Sequence, residues 1–230
     1  MVKKRLAVIS LGGSLIIPGE VDIKFLKEFK KTILKNTKNW KFIIVCGGGS
    51  IARKYISALD KAGIGEKLQS LSGISATRMN ARFMSYLFAS NPSQGIPHNL
   101  KALEKSIKSR RIVFCGALRY KPKQTSDSTS AEIASHFKAP FINLTNVDGL
   151  YDKNPLNSKN AKFIPEISWK EFHKIANNHG FKPGQHFVLD QTASKIIMKN
   201  KITTYILGKN LNHLDNLLNK RKFKGTVIAK

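Results

Sequence analysis

The chain has 230 residues, with 40 Lys+Arg against 14 Asp+Glu, a formal net charge of +26 and 41% hydrophobic residues. This is enough to bury a full core in one large domain or two small lobes. The apolar runs are only a handful of residues long, which excludes a membrane-spanning helix. Met1-Val2-Lys3-Lys4-Arg5 leads straight into an apolar strand with no secretory h-region, so a cytoplasmic location is expected. Lysine supplies 32 of the 40 positive charges and is scattered over nearly every segment, with 17 asparagines beside it and no arginine-rich tail. That distribution describes a solvated basic surface. It favours small anions and binds nucleic acid only nonspecifically, at low salt.

In chain order, strand and helix signals alternate. Leu6–Ile9 reads as a strand ending at Leu11-Gly12-Gly13-Ser14. After Pro18-Gly19, Phe25, Leu26, Phe29 and Ile33 fall on one helical face. Strand Phe42–Val45 runs into Gly47-Gly48-Gly49, and a helix follows from about Ser50 to Ala62, broken by Gly63 and Gly65. A longer helix is expected from about Gly73 to Ala89, with Met79, Phe83, Tyr86 and Leu87 at core spacing. Asn91–Asn99 reads as a loop, Leu100–Lys108 as a short helix and Ile112–Cys115 as a strand. A polar, basic loop from Gly116 to Asp127 precedes a helix through Ile133 and Phe137, and strand Phe141–Thr145 ends at Val147-Asp148-Gly149.

The last third begins with turns and a small hairpin over Leu150–Pro165. Helices Ser168–Asn177 and Gln191–Asn200, strand Thr203–Leu207, helix Leu211–Leu218 and strand Thr226–Ile228 complete the pattern. Such alternation predicts an α/β fold with a mainly parallel sheet covered by helices. Ligands on such sheets bind beyond the carboxyl ends of the strands, where these glycine turns fall.

Cys46 and Cys115 are 69 positions apart, each at a strand end before a glycine, and read as small buried residues. No metal-ligand spacing occurs among the six histidines, and neither a P-loop nor a spaced dinucleotide fingerprint is present. Two separate glycine turns remain. Glycine lets backbone approach a phosphate, and a helix start attracts the anion. Two such turns suit phosphoryl transfer from a nucleoside triphosphate to a phosphorylated acceptor. Arg53, one helical turn beyond the second, could grip a phosphate in forked geometry, and Lys195 is either a charge for the transfer step or one more surface lysine.

Six ordered motifs carry a family resemblance. They are Ser10–Ser14, Gly47–Tyr55, Gly73–Ala81, Thr125–Ser128, Thr145–Tyr151, and Leu189-Asp190 with Lys195-Ile196-Ile197. Over nearly the whole length the chain resembles the amino-acid-kinase superfamily and, within it, the archaeal type of uridylate (UMP) kinase. The resemblance implies a three-layer α/β/α sandwich and the reaction ATP + UMP → ADP + UDP, with Mg2+ held mainly by ATP phosphates and no metal-ligating side chains. It also implies a homo-oligomer, commonly a hexamer. A single domain over 1–230 would have an acceptor side in about 1–115 and an ATP side in about 116–230.

Carried over residue by residue, the resemblance implies that Gly12, Gly13 and Ser14 contact the transferring phosphates. Gly48, Gly49 and Arg53 would hold the UMP phosphate, with Gly73 shaping the uridine side. Thr125, Ser126 and Asp127 would contact the acceptor and order the transfer centre. Asn146, Asp148, Gly149 and Tyr151 would shape the ATP side, and Asp190 and Lys195 would close over the phosphates. This chain departs from the pattern at Ser10, where many relatives have lysine, and at Ser70, where an aspartate usually grips the ribose. Two further readings stand beside UMP kinase: a kinase of the same fold for another small acceptor such as isopentenyl phosphate, and a non-catalytic nucleotide- or nucleic-acid-binding relative.

Overall fold

In the computed structural model of the chain, residues 4–89, 95–122, 124–153, 155, 158, 160–178 and 188–230 are described. Strand β1 (Arg5–Leu11), the short α1 (Gly13–Ile16) and α2 (Ile23–Asn36) come first. Next are β2 (Trp40–Cys46), α3 (Gly49–Lys61), α4 (Glu66–Leu87), α5 (Leu100–Ser109) and β3 (Ile112–Cys115). Then come α6 (Ser126–Phe137), β4 (Phe141–Leu144), β5 (Leu150–Tyr151), β6 (Phe163–Ile164), β7 (Glu166–Ile167) and α7 (Trp169–Asn178). The final elements are α8 (Gln191–Lys199), β8 (Thr204–Leu207), α9 (Leu211–Leu218) and β9 (Thr226–Ile228).

Seven strands form one sheet in the order β3-β2-β1-β4-β8-β9-β7. From β3 to β8 all pairs are parallel, whereas β8 and β9 run antiparallel. The register sets Leu11 opposite both Cys46 and Leu144, Val45 opposite Cys115 and Leu144 opposite Leu207. Five consecutive strands therefore end at one edge, and their following loops share it. With helices over the sheet, the fold is the α/β/α sandwich expected from the sequence, with the β5–β6 hairpin beside it.

Central strands are apolar because both faces are covered: Ala7, Val8, Ile9 and Phe42 through Val45 are fully buried. Helix α2 turns Phe25, Leu26, Phe29 and Ile33 into this core, and Asp22 caps its start by accepting from the Phe25 N–H. Each large side chain removed from water this way stabilises the fold by roughly 1.5–3 kcal/mol. Both cysteines are free and buried, and burial pushes the Cys115 thiol up to about 12.

Helix α4 corrects the sequence reading twice. It starts at Glu66, seven residues before the expected Gly73, because Gly65 rather than a later residue ends the preceding turn. Its buried face is Ala76, Thr77, Asn80, Ala81, Met84 and Ser85, while Met79 and Tyr86 are half exposed. Of the four large residues expected at core spacing, Phe83 and Leu87 do pack against the core, and Met79 and Tyr86 do not. Packed on β2 and β3 beside the glycine turns, α4 needs small side chains there to come close. The hairpin expected within Leu150–Pro165 forms between β5 and β6, and the loop reading at residues 91–94 lies outside the described residues.

Candidate active site

The first two glycine turns are locked against each other. A Cβ on Gly13 would stand 2.0 Å from the Gly49 nitrogen, and one on Gly47 would stand 2.4 Å from the Gly13 nitrogen. No side chain larger than hydrogen fits at either position, so backbone meets backbone. Gly49 itself has φ +64°, a conformation that costs glycine little and other residues more. Gly12 ties the junction to the next strand by donating its N–H to the Leu144 carbonyl at 3.0 Å. Helix α3 begins at Gly49 at this junction, its Ser50 N–H donated to the Ile17 carbonyl at 3.0 Å; half-buried Ser14 lies in α1 on the other side.

Helix α4 supports these turns with polar side chains from its Gly73–Ala81 motif, whose individual roles the sequence did not assign. Asn80 donates to the Gly47 carbonyl at 2.7 Å, and the Thr77 hydroxyl accepts the Ala117 N–H at 3.0 Å. Arg78 donates to the carbonyls of Ala117 and Leu118 at 3.1 and 2.8 Å, fixing the start of the loop after β3. Gly116 permits that contact, since a Cβ there would lie 2.6 Å from Thr77 and Arg78 backbone atoms. The signal available in the sequence was polar residues in the middle of a long helix, which calls for buried partners. Gly73 lies on the same helix against Ile56 of α3.

Arg53 is exposed on α3, and its one hydrogen bond among the described residues is a marginal 3.5 Å approach to the Pro18 carbonyl. It lines a surface hollow of about 400 Å³ together with Lys54, Ser57, Ala58 and Lys61. The guanidinium and the two neighbouring ammonium groups give this hollow a positive potential.

Asp127 and Asp190 form the second centre. Asp127, in the first turn of α6, accepts from the Ser10 hydroxyl of β1 at 2.7 Å. Asp190 caps α8 by accepting the Ala193 N–H at 2.9 Å and accepts the Thr125 hydroxyl proton at 2.5 Å. Thr125 also caps α6, accepting from the N–H groups of Asp127 and Ser128. Its hydroxyl is thereby spent within the protein. Its main chain is engaged as well, the N–H donating to the Ser128 hydroxyl at 2.8 Å and the carbonyl accepting from the Thr129 hydroxyl at 3.0 Å.

Burial, then the negative charge of Asp190, pushes the Asp127 carboxyl up to about 7, against the opposing pull of the Ser10 hydrogen bond. Burial likewise raises Asp190, opposed by its bonds from Thr125 and Ala193. Neither carboxylate has an ion-pair partner among the described residues. Lys195 is exposed on α8 with no ion pair among the described residues, and the structure does not bring it into hydrogen-bond contact with either carboxylate.

On the far side of Gly12, the loop after β4 carries Asn146, Asp148 and Gly149. Asn146 is exposed and accepts from the Thr145 hydroxyl. Asp148 pairs with Lys224 at 2.6 Å, and Gly149 packs so tightly on Thr226 that a Cβ would lie 2.6 Å from its hydroxyl. Tyr151 sits edge-on to Phe163 with ring centres 5.4 Å apart. Lys224 and Thr226 follow the last helix in sequence and carried no motif, so only the fold reveals them as partners of this loop.

Residues 5–208 match the amino acid kinase family. The chain is 32% identical to the uridylate kinase of Thermococcus kodakarensis over 96% of this chain and 98% of that one. It is 34% identical to the uridylate kinase of Archaeoglobus fulgidus over 96% and 99% of the two chains. The crystal structure of the Archaeoglobus fulgidus uridylate kinase superposes with a TM-score of 0.82, 33% identity and coverage of 97% and 99%. A UMP kinase structure from Ureaplasma parvum, at 22% identity and a TM-score of 0.80 over the whole of both chains, shares the fold. With its sheet, its facing glycine turns and its near full-length likeness to these proteins, the chain belongs to the amino acid kinase family.

Proposed function

We propose that the chain is a UMP kinase, moving the γ-phosphoryl group of ATP to UMP. The observation that carries this reading is the backbone lock between Gly12-Gly13 and Gly47–Gly49, which sets two anion-accepting turns face to face at one sheet edge. Gly48, Gly49 and Arg53 hold the UMP phosphate, and Gly73 and Ser126 border the nucleoside. Gly12, Gly13 and Ser14 approach the ATP phosphates, while Asn146, Asp148, Gly149 and Tyr151 shape the ATP side. A UMP phosphate oxygen bonds to the γ-phosphorus as the bond from that phosphorus to the β–γ bridging oxygen breaks, giving UDP and ADP. Such a transfer needs alignment and positive charge rather than covalent help. Arg53 and the helix N–H groups supply part of that charge, and exposed Lys195 of α8 adds to it.

Mg2+ accompanies ATP in this reading. Its ligands would be mainly the nucleotide's own phosphate oxygens, and when bound it neutralises phosphate charge. The chain's own part is to keep the Asp127 and Asp190 carboxyls fixed by the hydroxyls of Ser10 and Thr125. A homo-oligomer, hexameric by family resemblance, belongs to the same reading. It is supported by the exposed Tyr55 on α3 and Leu68, Leu71, Met79 and Tyr86 on α4. So does a place in cytoplasmic pyrimidine nucleotide synthesis.

A coupled assay offering UMP, CMP, AMP and isopentenyl phosphate with Mg-ATP tests the reading. The expected result is the highest kcat/KM for UMP. Turnover confined to a non-nucleotide acceptor would overturn it.

A further inference from the structure

Ser10 lies near the end of β1, opposite Val45 of β2 and Asn143 of β4, and is completely buried. A buried hydroxyl in the middle of a sheet costs stability unless it is bonded. Its partner here is not a neighbouring carbonyl but the carboxyl of Asp127, reached at 2.7 Å across 117 positions of sequence. No other side-chain hydrogen bond to the Asp127 carboxyl occurs among the described residues, whereas Asp190 is held twice, by Thr125 and by its own helix.

The groups around Asp127 make that single bond consequential. From α8 it faces Asp190, a like charge. From α6 its own N–H is bound to the Thr125 hydroxyl, which fixes the main chain and leaves the carboxyl orientation to the side-chain bond. β4 offers Asn143, whose amide is already given to the Val188 carbonyl at 2.7 Å. In a chain of net charge +26, this carboxyl is steadied by a neutral hydroxyl.

We propose that Ser10 is a positioning residue for phosphoryl transfer, fixing the orientation of the Asp127 carboxyl at the edge shared by the two glycine cradles. The inference rests on the kinase reading above for its meaning but not for its test. An O–H donor favours the charged carboxylate, so its loss makes Asp127 hold its proton to higher pH. A residue that served packing alone would change stability without moving that titration.

The deciding experiment is a carboxyl 13C NMR titration of the ligand-free protein, with Asp127→Asn used to identify the signal. In Ser10→Ala the Asp127 midpoint should rise by about one pH unit, and in Ser10→Thr, which keeps the hydroxyl, it should return toward the original value. Ser10→Cys, close in size and a weak donor, serves in place of the alanine variant if that one does not fold. In the UMP assay, Ser10→Ala should lower kcat about tenfold near pH 7, recover at pH above 8, and leave both KM values within about twofold. An unchanged Asp127 midpoint overturns the proposal, as does an equal loss of kcat at every pH. Failure of the unmodified protein to phosphorylate UMP would instead strike the kinase reading, leaving the titration to judge Ser10 alone.

Discussion

Where Gly13 meets Gly49 the chain touches itself backbone to backbone, whereas Asp127 and Asp190, at the same sheet edge, are held through the hydroxyls of Ser10 and Thr125. The first arrangement has no slack, because a Cβ at Gly13 would sit 2.0 Å from main-chain nitrogen. The second consists of hydrogen bonds that a substitution weakens one at a time. One region thus specifies shape in an all-or-none manner, and the other tunes charge by degrees.

The strongest way to break this contrast is Gly13→Ala. We expect loss of activity beyond about a hundredfold and a drop in Tm of ten degrees or more, since main chain must move to admit the methyl group. Gly19→Ala is the control, with open space around its Cβ and no expected loss. Thermal unfolding and kcat/KM for the pair check both. If alanine at 13 is tolerated like alanine at 19, the two turns do not touch as described.

A smaller and more selective effect is expected for Arg53→Ala. Its guanidinium carries almost no structural bond, so stability should stay within about 0.5 kcal/mol, while KM for UMP rises about tenfold or more and KM for ATP hardly moves. Equal increases in both constants would remove Arg53 from the acceptor side.

The gentlest test concerns Asp127. Burial and the neighbouring Asp190 push its carboxyl up to about 7 in the folded protein, well above the ordinary carboxylate range of an unfolded chain. A raised carboxylate favours the folded state most below pH 4, and that contribution is lost as pH climbs from about 4 through about 7. Asp127→Asn does not titrate, so its Tm should match that of the unmodified protein near pH 4 and exceed it by several degrees at pH 8. Turnover should fall in the same variant. A Tm difference that shrinks with rising pH would contradict the burial and charge environment described for this group.

How far these features could be read without coordinates follows from their range along the chain. Strand and helix order, the two glycine turns and Arg53 were legible because each is a local pattern: an apolar run, a cluster of glycines, a basic residue one turn into a helix. Helix α4 was misread at Met79 and Tyr86, since its buried face is made of small and polar residues that hydrophobic spacing does not detect. The support of Gly47 by Asn80 spans 33 positions, and the pairing of Asp148 with Lys224 spans 76. Nothing local announces either.

By itself, the sequence determined the kind of fold and the places where main chain could come near a phosphate, because side-chain periodicity and the absence of a Cβ act within a few residues. Tertiary structure alone decided that Gly13 and Gly49 interlock, that Thr125 spends its hydroxyl on Asp190, and that Ser10 reaches Asp127. Parallel strands carry their ends to a common edge only when the sheet assembles in the order β3-β2-β1-β4-β8, and that assembly brings position 10 beside position 127.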